Sequence, residues 1–147
     1  MRAKKVIVGC LLLLLFVGCG GAITPQPTSV LITRNSPPTL HLEPLSRRIT
    51  DRSKVQKLYA AAIDLPSIAG TIHCPTSSYG GLNYQLQFAA GNNVIQNMNL
   101  DAATCRLLRI GQSDVRQTNP AFITLFVQTA DIPSFLPEKS TISEVKV

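Results

Sequence analysis

The clearest pattern in the chain lies at residues 82–90. Leu82, Tyr84, Leu86, Phe88 and Ala90 alternate with Asn83, Gln85, Gln87 and Ala89. A period of two predicts a strand with one buried and one solvated face. Gly91-Asn92 supplies a tight turn. Beyond it Val94, Met98 and Leu100 fall on one side and Ile95, Asn97 and Asn99 on the other, with Gln96 breaking the apolar row. Residues 94–100 are therefore expected to form a second strand. Asp101-Ala102-Ala103 turns again, residues 104–110 read as a third strand, and Gly111-Gln112-Ser113-Asp114 ends it. Together these make an antiparallel meander with one buried face. Residues 30–33, 39–43 and 71–74 are shorter strand candidates, the first two split by Asn35-Ser36-Pro37-Pro38. In 39–43, Leu40 and Leu42 face one way and His41 and Glu43 the other.

Two stretches carry the helical period instead. Val55, Leu58, Tyr59, Ala62 and Ile63 form one stripe of a helix over residues 52–65, with Thr50 or Asp51 as cap and Pro66 as stop. Phe122, Leu125, Phe126 and Ala130 form the stripe of a second. Thr118 or Asn119 caps it, Pro120 sits in its first turn and Pro133 stops it. The expected fold class is α+β: an antiparallel β-meander of three to five strands, two helices packed on one face, and one disulfide. Residues 30–131 form the single domain, and residues 132–147, with two prolines and charges of both signs, a partly ordered tail.

The N-terminus departs from all of this. Arg2, Lys4 and Lys5 precede twelve uncharged, mostly apolar residues at 6–17. That is the layout of an export signal, and twelve residues are too few for a spanning helix, which needs about 20. Phe16-Val17-Gly18-Cys19 then resembles the bacterial lipobox, with Phe16 where Leu is usual. The resemblance covers residues 1–19. It implies that residues 1–18 are removed and that the Cys19 thiol carries a diacylglyceryl group. One acyl chain binds a membrane only reversibly, so two chains on Cys19 would suffice as an anchor. Cys10 also follows a small residue but lies too early. An ordinary secretory signal cut near residues 20–22 is the alternative, giving a secreted protein. Residues 19–29 then read as the lipidated Cys and a flexible, Pro-punctuated tether.

Removing the signal changes the charge. The chain has 14 Lys+Arg and 8 Asp+Glu, but three of the basic residues leave with the signal, so the mature balance is +3 rather than +6. Little of the basicity is left to argue for nucleic acid. Arg47, Arg48, Arg52, Arg106, Arg109 and Arg116 could still form a patch for anionic lipid headgroups or an acidic partner, or be scattered solvated charge.

Cys74 and Cys105 are the two cysteines left in the folded part. In an oxidising compartment an even pair is expected to be a disulfide, and a loop of about 31 residues makes it worth about 3.7 kcal/mol. They can meet only if the 75–81 loop folds across the strand ends, so residues 71–74 should then not form a regular outer strand at full sheet spacing. The dipeptide His73-Cys74 suggests a thiol nucleophile or a metal ligand, but neighbours on a strand point to opposite faces and no further ligand spacing supports it.

No catalytic residue, metal or cofactor is indicated: there is no Gly-x-Ser-x-Gly, P-loop or His-Glu-x-x-His motif and no paired carboxylates. The candidates that remain are surfaces. Asn83, Gln85, Gln87, Gln96, Asn97 and Asn99 give the sheet an amide-rich polar face. Arg106 and Arg109 flank the third strand as further binding candidates, and the loop braced by Cys74 exposes Tyr79. Residues 50–130 resemble uncharacterised small exported bacterial lipoproteins that order a helix, a Cys, a β-meander with a second Cys, and a helix. That resemblance implies location and fold, not activity. The expected function is a cell-envelope lipoprotein with a small binding or interaction domain. It is held to the membrane by its lipid and its partner is an envelope protein, a peptide or a glycan. A protease-inhibitor-like exported module using the 77–81 loop is the first alternative, a small envelope hydrolase using His41 or His73 the second.

Overall fold

A computed structural model describes residues 25–75, 80–102 and 105–136. Strands β1 (Ser29–Asn35) and β2 (Leu45–Ile49) precede helix α1 (Arg52–Ile63). Strands β3 (Asn83–Ala90), β4 (Asn93–Asp101), β5 (Leu107–Ile110) and β6 (Asp114–Gln117) follow, and helix α2 (Pro120–Ala130) comes last. Among the described residues the fold is α+β, with one antiparallel sheet of six strands in the order β2-β1-β3-β4-β5-β6. The sequence pattern led to an expectation of three to five. β1 is antiparallel to both β2 and β3, so those two run parallel to each other and α1 is the crossover between them.

The alternating rows assemble one core. Val30, Ile32, Tyr84, Leu86, Phe88, Met98, Leu100, Leu108 and Ile110 from the sheet join Val55, Leu58 and Ala62 of α1 and Phe122, Phe126 and Ala130 of α2. Rings knit the layers together: Tyr59 of α1 meets Phe88 edge-on, with centroids 5.0 Å apart, and Phe126 of α2 meets Tyr84 at 4.9 Å. Ile132 and Phe135, from the segment expected as a tail, are buried in the same core. The Tyr84 hydroxyl donates to the Phe135 carbonyl at 2.9 Å. Burial pushes the Tyr84 pKa up, and the nearby Arg34 guanidinium works against that shift. The helices start as their caps dictate: Asp51 accepts from the Lys54 N–H and Asn119 from the Phe122 N–H.

Three expected strands are corrected. Residues 39–43 are not a strand: Pro38–Leu40 form a 3₁₀ turn, ended by His41 at φ +46°. Pro38, at the first position of that turn, has its φ fixed near the helical value and starts the turn in place of a strand. The alternation itself is real, since Leu40 and Leu42 pack on the core while His41 and Glu43 are exposed. The strand lies later, at β2, with Arg47 at an inward position between Leu45 and Ile49. Residues 71–74 form no strand either, as the disulfide required. The strand expected at 104–110 is ordered as β5 only from Leu107. Val94, placed in the apolar row, is instead 49% exposed, because the β3–β4 register shifts between Phe88 and Ala89.

The two outermost strands are each tied to a helix end. From β2, Arg47 donates to the Ala130 carbonyl at 2.9 Å, the Asp131 carbonyl at 2.6 Å and the Asp131 carboxylate at 2.9 Å. From β6, Arg116 donates to the Ile63 and Leu65 carbonyls and pairs with Asp114 at 2.7–3.1 Å. Each guanidinium satisfies carbonyls that a helix C-terminus leaves open and opposes the negative end of its dipole. The outer edge of β6 is also covered: Ile68 N–H donates to Val115 O and Gln117 N–H to Pro66 O.

Hydrogen bonding by Arg116 holds the Asp114 carboxyl below its ordinary value of 3.8, with Ser67 donating as well. A lowered folded-state pKa contributes stability above the unfolded value, lost as pH falls through the folded one. Unfolding free energy measured from pH 6 to pH 2 should therefore fall more steeply in the parent protein than in Asp114→Asn. Parallel curves would contradict this.

Candidate functional site

The sheet face turned away from the helices carries most of the polar residues singled out in the sequence. The registers set it out in rows. Leu31 of β1 lies opposite Gln87 of β3, which lies opposite Asn97 of β4. One row along, Thr33, Gln85 and Asn99 are matched in the same way. These six residues line a shallow groove of about 390 Å³, closed at one corner by Gly111. Gly111 stands at φ +61°, a left-handed conformation that favours glycine, and its N–H donates to the Asn97 carbonyl at 3.0 Å.

Carboxamides floor the groove, and each offers two donors and an acceptor. Gln87 donates to Asn97 at 3.4 Å. At one end, Asn83 accepts from both Asn99, at 3.1 Å, and Asn35, at 3.3 Å, while donating to the Gly81 carbonyl at 3.0 Å. Gln85, in the middle, makes no side-chain hydrogen bond to the described residues. The floor is thus partly fixed in advance, with one free amide at its centre. Groups already held lose less freedom when a ligand arrives.

The residues expected at a site divide clearly. Gln85 and Gln87 line the groove. Asn83 is a tie at its end rather than part of its lining. Gln96 is not on this face at all: it pairs with Phe88 on the helix side. Arg109 lies directly beside the groove, opposite Asn99. Arg106 lies beyond the other end of β5 at φ +51°, its carbonyl accepting from Thr118. Tyr79 and Cys19 lie outside the described residues. Arg48 went unmarked as a groove residue in the sequence; it stands opposite Leu31 on the far flank. Once β2 is placed, its period of two puts Arg48 outward. The basic patch does not assemble, because Arg47 and Arg116 are committed to the helix ends.

Cys74 and Cys105 form a disulfide, with Cα atoms 5.5 Å apart, so neither is a thiol nucleophile. His41 and His73 are exposed and make no side-chain hydrogen bond to the described residues. No group of three or more His, Cys, Asp or Glu gathers as a metal site among the described residues, and no helix there is long and apolar enough to cross a membrane. Comparison of the chain with protein-family models, with curated proteins and with solved structures finds no match.

Proposed function

We propose that this chain is an exported cell-envelope lipoprotein, anchored through Cys19, whose single domain is a binding module for a glycan held on the outer face of the sheet. Export and anchoring rest on the charged, apolar and lipobox-like segments of residues 1–19. A disulfide in a small domain fits the oxidising compartment that export would reach.

The observation that carries the binding reading is the amide-floored groove over β1, β3 and β4. Hydroxyl groups are donors and acceptors at once, and so are carboxamides, so the two surfaces match without net charge. Leu31 adds an apolar margin for the C–H face of a sugar ring. A peptide fits less well. Extended peptides are bound through free backbone groups at a sheet edge, and here each of the three strands is paired on both sides.

Binding of the full-length protein to immobilised envelope polysaccharides tests the reading. Gln85→Ala with Asn99→Ala should weaken retention about tenfold, as expected for losing one or two hydrogen bonds. Both changes are at solvent-facing positions and should leave the melting temperature close to the parent's. Undiminished retention by the double variant would refute the groove as the site. Mass spectrometry of the membrane fraction tests the anchor: a mature N-terminus other than Cys19, or one without acyl mass, refutes it.

A further inference from the structure

We propose that the glycan held by this face is an acidic one, its carboxylates taken by Arg48 and Arg109; the proposal rests on the reading of the groove as a glycan site. The two arginines are the next cross-strand neighbours on either flank. Arg48 stands opposite Leu31 and Arg109 opposite Asn99. Both side chains are exposed, and neither forms an ion pair or a hydrogen bond with a described residue. The contrast with Arg47 and Arg116, which face the helices and bond carbonyls and carboxylates there, is informative. This fold gives its structural arginines carbonyls and carboxylates, and leaves the two that border the groove without them.

The floor between them is neutral. Its polar lining residues are Thr33 and the four amides Gln85, Gln87, Asn97 and Asn99. Asp101, the nearest acidic residue on these strands, lies beyond Asn99 in the row of Asn83. The positive charges therefore sit at the margins with hydrogen-bonding groups between. β2 and β5 are four strand spacings apart, about 19 Å, and the arginines are staggered by one row. A chain of several sugars lying obliquely across the strands would set hydroxyls over the amides and a carboxylate at each flank. A guanidinium fork matches a carboxylate in two parallel hydrogen bonds. Among the described residues no aromatic side chain lines the groove to stack a base, as a single-stranded nucleic-acid site would have.

The test uses a panel of uronic-acid polysaccharides, each paired with its carboxyl-reduced form, probed with the full-length protein. Polyglutamate serves as a polyanion that is not a sugar. The expected result is that at least one acidic member binds ten times or more tighter than its reduced partner. That ratio should fall about tenfold in Arg48→Gln and in Arg109→Gln, less in the Lys variants, and should shrink with added salt. Binding in which every acidic member is held no tighter than its reduced form would overturn the acidic assignment while leaving the glycan reading standing. No binding to any member would overturn both. Polyglutamate bound as tightly as the best sugar would show that charge alone is recognised and overturn the proposal.

Discussion

Phe126→Ala should cost about 4 kcal/mol of unfolding free energy, in the range found for removing a large aromatic from a packed core. Phe126 is completely buried and stands at the centre of a three-ring cluster. Its ring meets Tyr84 edge-on at 4.9 Å and Phe135 edge-on at 6.0 Å, and Tyr84 and Phe135 stack at 5.7 Å. Truncation removes the buried area, opens a cavity among rings that cannot collapse onto it, and deletes two edge-to-face contacts. The damage also spreads in sequence. Phe135 holds the segment after α2, and its carbonyl takes the Tyr84 hydroxyl. Urea unfolding of the variant should show a much lower midpoint, whereas Leu125→Ala, half-buried on the same helix, should cost far less. Equal effects would mean that the three-ring cluster does not anchor the core.

Breaking the disulfide should have an effect of similar size. The bond closes 31 residues, which the chain-entropy account values at about 3.7 kcal/mol. For a domain near one hundred residues that is a fall in melting temperature of roughly 15–25 °C. Cys74 lies in a stretch without regular structure, where no ladder holds it, and is exposed to solvent. A reductant should therefore reach the bond in the native state. Cys74→Ser with Cys105→Ser should melt like the reduced parent, and adding reductant should not lower the variant further. If parent and reduced parent melt together, the staple contributes little. Alkylation of both thiols in unreduced native protein would mean that the bond is not formed at all.

Much of the fold is legible in the chain where one residue type dominates each face. The run at 82–90 alternates up to Ala89, and both helices carry a stripe and a capping side chain, so β3, α1 and α2 follow directly from pattern. β2 and β6 are illegible for a single reason. Their inward positions hold Arg47, and Asp114 with Arg116, half-buried groups placed by hydrogen bonding rather than by hydrophobicity. A period-of-two search finds no apolar row there. The strand expected at 39–43 fails in the opposite way: its alternation is genuine, but tandem prolines fold it as a turn. Of the candidate face, Gln85 and Gln87 are legible because the parity of β3 is clear, whereas Arg109 stands out only as a charge flanking the third strand. Arg48 is not legible, since its place beside Leu31 depends on the register of a strand that no local signal announces.

The two arginine ties also bear on how the chain can close as it emerges from its N-terminus. Arg47 bonds a carbonyl 83 residues downstream, and β1 gains its second neighbour only when β3 arrives. One flank of β1 therefore stays bare until β3 is made, and the guanidinium of β2 stays unmet until nearly the whole domain is available. Arg116 faces no such delay, because the end of α1 has already been made when β6 appears. The N-terminal hairpin is the last part to be secured, and an unfinished chain is most open to wrong strand partners there.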